Sequence, residues 1–154
     1  MDYTQTILDF LKEIGIPTEE VLLDSTTFLP GVQIKQGKLH YDPTKLEFPG
    51  DLIHEAGHIA LMTQEERKTI IGNVKEYRNP AQDDEMGVLA WSYAAIKHLG
   101  IPGELLFHEG GYHGQAQALL RGFESGQILG LPLLVWMELT DYDTYPEMRK
   151  WIRE

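Results

Sequence analysis

The sequence predicts a mainly helical α+β domain with a small antiparallel sheet ahead of its central helix. Three observations carry that prediction. Apolar residues recur at helical spacing over 4–14, 51–62 and 80–99. Two short alternating segments, Val32–Lys35 and Lys38–Tyr41, flank Gln36-Gly37, the pattern of a β-hairpin. The chain has 154 residues, 42% of them hydrophobic and 24% charged, which suits one globular domain over 1–154 and argues against disorder.

Taken in order, Thr4 to Ile14 is an amphipathic helix with Ile7, Leu8, Phe10, Leu11 and Ile14 apolar, ended by Gly15 and Pro17. Thr18 to Leu23 opens a short helix or leads into the hairpin. Asp42-Pro43 stops the second strand, and Pro49-Gly50 introduces the helix over 51–62. The polar stretch Gln64-Glu65-Glu66-Arg67-Lys68 reads as a solvated helix end or connecting loop. Asn79-Pro80-Ala81-Gln82 has the residues of a helix start, and the helix running on to Leu99 has so little polar surface that it is expected to be mostly buried. Gly100 and Pro102 end it. A glycine-rich loop with two histidines and a tyrosine spans 105–114. Helices follow over Gln115 to Glu124 and from Thr144 to near Ile152, with an apolar segment from Ile128 to Leu139 between them. Trp91, Tyr93, Trp136 and Trp151 read as core or half-buried residues, and His40 and His98 as structural histidines.

Charge and composition exclude several function classes. Asp plus Glu total 24 against 13 Lys plus Arg, a formal net charge of −11, which argues against a nucleic-acid backbone or an anionic membrane as partner. There is no cysteine, so a disulfide framework and a thiolate metal site are both excluded, and any metal must be held by nitrogen and oxygen. No basic-then-apolar leader pattern is visible at the N-terminus, and no apolar run approaches the roughly 18–20 residues needed to span a membrane, so a cytoplasmic protein is expected.

The helix over 51–62 carries His54-Glu55-Ala56-Gly57-His58, a His-Glu-x-x-His motif. Residues four apart lie one turn apart on one helix face, so His54 and His58 can offer two imidazoles to one zinc ion. Glu55, about 100° round the helix, can take a proton from a water on that ion. Asp51, His58 and Leu61 fall within about 60° of His54, while Leu52, Ile53, Ala56, Ile59 and Ala60 form an apolar stripe opposite. This is the pattern of a helix with a buried back and an accessible front. Asp51 serves either as a hydrogen-bond acceptor for a ligand imidazole or as a helix cap.

A catalytic zinc usually keeps three protein ligands and one open position. Glu85, in Asp83-Asp84-Glu85 at the head of the most apolar helix, is the candidate for the third. A carboxylate carried into a buried setting must be paired or metal-bound. Asp84 is the alternative ligand, unless these acids only complement the helix dipole.

His54-Glu55-Ala56-Gly57-His58 followed by Glu85-Met86-Gly87-Val88-Leu89-Ala90 resembles the zincin metallopeptidases, and among them the gluzincins. The resemblance covers roughly residues 32–96. It implies a zincin-like domain, Zn2+ on His54, His58 and Glu85, and a peptide or protein substrate received in extended form along a strand at Lys38–Tyr41. No third histidine follows His58 at the short spacing of metzincins, since Thr63-Gln64-Glu65 occupies that region.

The expected reaction is hydrolysis of a peptide bond, with zinc-bound water activated by Glu55 as general base. Tyr112, His113 and His108, on the glycine-rich loop, are candidate donors to the developing oxyanion, Tyr112 first and His113 next. The alternative function is a catalytically silent protein of the same fold that binds or regulates. The sequence does not fix the substrate or the oligomeric state.

Overall fold

The computed structural model describes residues 2–24, 26–27, 29–77, 84–108 and 115–154. Helix α1 (Thr4–Ile14) buries Ile7, Leu8, Phe10 and Leu11 and closes on Gly15 at φ 94°, a left-handed cap that glycine adopts without a Cβ penalty. Residues 18–20 then form a strand, β1 (Thr18–Glu20), instead of a short helix. It pairs in parallel with β3 (Lys38–Tyr41), which runs antiparallel to β2 (Val32–Lys35). The Gln36-Gly37 turn has both φ values positive, 50° and 82°, as a tight two-residue hairpin requires. The sheet order is β1-β3-β2, so the expected antiparallel hairpin is there within a mixed sheet.

That order corrects the role implied for Lys38–Tyr41. Strand β3 is central, with both edges hydrogen-bonded to neighbours, and has no free edge to receive an extended peptide. Part of the outer edge of β2 is taken as well: Gln36 N–H donates to Ile70 O and Gly72 N–H to Ile34 O. Val32, Ile34 and Leu39 point to the core, while Asp42 just beyond β3 is buried and accepts from the Leu23 and Thr44 N–H groups.

Helix α2 (Gly50–Leu61) lies at the centre of the molecule. The expected division into buried back and accessible front does not hold. Every residue of α2 except His54 is buried, because the sheet and α1 cover one side and α4 the other. Helix α3 (Gln64–Thr69) follows at once. Thr63 and Glu66 close a reciprocal capping box, a signal present in the sequence that sets the helix start within what reads as a polar connection. Arg67 on α3 donates to the Ile59, Ala60 and Arg153 carbonyls, and Arg153 donates to those of Ala60 and Leu61. Carbonyls at the C-terminal end of a helix have no partner within it, and these two arginines supply one. A short 3-10 turn spans Val74–Tyr77.

Helix α4 (Glu85–Leu99) buries an unbroken run from Gly87 to Ile96, as its composition implies. It begins at Glu85, later than the expected start near Asn79-Pro80; Asn79 itself lies outside the described residues, and Asp84 has non-helical φ −111° and ψ 16°. Another 3-10 turn spans Gly103–Leu105, followed by α5 (Ala116–Glu124) and α6 (Leu131–Trp136), with Pro132 in its first turn. The helix expected from Thr144 is absent. Backbone groups there have tertiary partners: the Arg149 and Lys150 N–H groups both donate to Leu139 O, and Trp151 O accepts from the Trp91 indole. Trp91 and Tyr93 are core residues, Trp151 is half-buried, and Trp136 is 69% exposed, contrary to expectation, with the Arg153 guanidinium over its ring. No helix among the described residues is long and apolar enough to cross a membrane.

Helices α2 and α4 approach closely where α2 carries Gly57. A Cβ on Gly57 would stand 3.0 Å from Val88 Cγ1, 3.1 Å from the Trp91 ring and 3.3 Å from Ser92 Oγ. Glycine in mid-helix costs about 1 kcal/mol of propensity relative to alanine, and the gain here is close approach of the two helices. Gly57→Val is expected to lose about 1–3 kcal/mol of stability by overpacking this seam, as read from urea denaturation.

Candidate metal centre

The seam places two side chains of α2 against the first residue of α4. His54 and His58 lie one turn apart, with ring centroids 5.3 Å apart and planes inclined by 21°. Glu85 reaches both: Oε1 is 2.8 Å from His54 Nε2, and Oε2 is 3.3 Å from His58 Nε2. The three offer ligand atoms that all lie within 4.8 Å of one another, and they form the one such group of three among the described residues. Donors about 2.0–2.1 Å from a tetrahedral zinc sit roughly 3.3 Å apart. The histidine–glutamate separations of 2.8 and 3.3 Å lie at or a little below that value, and the donors are nitrogen and oxygen atoms of the type zinc takes. Both imidazoles present Nε2 to the shared point, and no sulfur ligand is needed.

Electrostatics bind the group together. Burial would raise the Glu85 carboxyl, but hydrogen bonds from His54 and His58 outweigh it and hold the group well below the usual carboxylate range. Burial would lower the His58 imidazole, but its bond to Glu85 and the charges of Glu55, Glu85 and Asp84 hold it above the ordinary histidine value. Glu55, between the two histidines in sequence, is 6% exposed. Burial raises its carboxyl above the usual range, against the opposing pull of His58 and His54.

Around this group the sequence candidates separate. Asp84, the alternative ligand, is not part of the group of three; its Oδ1 lies 4.0 Å from His58 Nδ1, the ring nitrogen remote from Glu85. Asp51 is buried and makes no capping bond to α2; its Oδ1 is 2.8 Å from His108 Nε2. Burial raises the Asp51 carboxyl despite that hydrogen bond. His108, a candidate oxyanion donor, therefore turns Nε2 to Asp51, and its ring stacks on Phe48 at 3.7 Å and 7°. Gly50 allows this arrangement, since a Cβ there would fall 2.0 Å from Leu105 O. Tyr112 and His113 lie outside the described residues. His40 stands 3.4 Å from Glu19, and His98 packs between the Phe10 and Trp151 rings, both away from the ligand group.

The Asp51–His108 pair had no signal in the sequence. Its members are 57 residues apart, and neither belongs to the periodic pattern of the other. No family model matches the chain, and comparison with curated proteins and with solved structures finds no match.

Proposed function

We propose that the chain is a zinc-dependent hydrolase of peptide bonds, a cytoplasmic metallopeptidase of zincin type. The observation that carries the reading is the convergence of His54 Nε2, His58 Nε2 and the Glu85 carboxylate from two helices, with the buried Glu55 carboxyl next to them in sequence. His54, His58 and Glu85 would hold the ion through two nitrogens and one oxygen, a common ligand set for a hydrolytic zinc site. Zinc, if bound there, would supply Lewis acidity that makes water a better nucleophile at neutral pH and polarises a carbonyl. Glu55 takes the proton from the attacking water and delivers it to the departing amine. Burial around Glu55 and His58 limits competing solvent at the point where the proton moves.

The test is metal analysis of protein purified without an affinity tag, joined to turnover of a broad peptide library. The expected result is one zinc per chain and cleavage that a chelator stops and added zinc restores. Stoichiometric zinc with no cleavage would assign the chain instead to a silent protein that binds or regulates. Protein that takes up no zinc at all would overturn the metal reading.

A further inference from the structure

The remote side of His58 carries a second feature. Its Nδ1 is buried and has no hydrogen-bond partner among the described residues. An acid stands near it: Asp84 Oδ1 lies 4.0 Å away, about 1 Å longer than a hydrogen bond. Asp84 is itself 9% exposed. It occupies the residue position before α4 where aspartate commonly caps a helix, yet its side chain makes no capping bond there. One oxygen of this carboxylate stands beside the remote nitrogen of the imidazole.

We propose that Asp84 is a positioning residue for the metal centre. Its carboxylate accepts the Nδ1–H of His58, which fixes the ring in the tautomer that leaves Nε2 as the lone-pair donor and holds that nitrogen toward the ion. Two consecutive carboxylates then serve the two nitrogens of one imidazole, Glu85 beside Nε2 and Asp84 beside Nδ1. The inference rests on the zinc reading above and goes beyond it by giving Asp84 a role other than ligand or dipole partner.

The experiment uses 15N-labelled full-length protein loaded with zinc, in wild-type form and as Asp84→Ala and Asp84→Asn. Zinc affinity is measured by competition with a chromogenic chelator, and the ring tautomer by imidazole nitrogen–proton spectra. Wild type is expected to show a downfield, slowly exchanging Nδ1 proton on His58. Asp84→Ala should lose that signal and bind zinc about 10–100-fold more weakly. Asp84→Asn retains an acceptor oxygen, so it should keep the proton and much of the affinity; it also carries the test should the alanine variant fail to fold. Zinc affinity and His58 signals unchanged in Asp84→Ala would overturn the assignment. Loss of an oxygen from the zinc coordination shell in Asp84→Asn, read by X-ray absorption, would overturn it too, by making Asp84 a ligand. Failure of the wild-type protein to take up zinc would instead overturn the metal reading beneath it.

Discussion

Glu55→Gln is expected to abolish hydrolysis, by about 10²–10⁴-fold or more, while leaving zinc bound at one per chain. Glutamine has nearly the shape of glutamate and keeps a carbonyl oxygen, but it cannot accept and return a proton at neutral pH. Burial holds the Glu55 carboxyl above its usual range against the pull of His58 and His54, and glutamine fills the same buried space. The fold is expected to be retained or slightly stabilised. The loss should fall on kcat and not on binding of the ion. Turnover equal to wild type would rule out the general-base role, and parallel loss of zinc would mean that Glu55 supports the ion instead of the proton transfer.

His54→Ala and His58→Ala should have the opposite signature. Each removes a nitrogen donor, and each also strips the Glu85 carboxylate of one of the two hydrogen bonds that hold it ionised. Zinc affinity should fall by more than the roughly 10–100-fold expected for a supporting side chain. The metal-free proteins should also lose about 1–3 kcal/mol of stability, since a half-buried carboxylate is left short of a partner. The effect should be greater for His58, which is buried, than for His54, which keeps more contact with solvent. Dialysis followed by metal analysis reads the first effect, and thermal unfolding of the metal-free forms reads the second. Stoichiometric zinc retained by either variant would remove that histidine from the ligand set.

How far the sequence reaches depends on whether a feature is local. Helix α1, the β2–β3 hairpin and helix α2 are legible because periodicity, Gln36-Gly37 and Pro49-Gly50 act within a few residues. The Glu85 position is legible through a physical cost: a carboxylate at the head of an apolar helix needs a partner. Strand β1 is not legible, because three residues with two glutamates become a strand only by pairing with β3, twenty-one positions along. The absent helix after Thr144 fails for a related reason. Its local signals are sound, but Leu139 and Trp91 compete for its backbone groups. Helix α2 misleads in another way, since periodicity shows an apolar stripe but not that α4 will cover the opposite side. The Asp84 carboxylate facing His58 has no sequence signal beyond its proximity to Glu85.

The narrow contact at Gly57 also acts as a calliper. Both imidazoles ride on α2 and the carboxylate rides on α4, so the separation of the helices sets the span available to an ion. Bonds of about 2.0–2.1 Å suit zinc, whereas calcium takes about 2.3–2.6 Å. A side chain that wedges the helices apart would shift the aperture toward the larger cation without altering a single donor atom. If the proposed centre holds zinc, its cation preference would depend on the close helix contact at Gly57, against Val88 and Trp91, as well as on the chemistry of the donor groups.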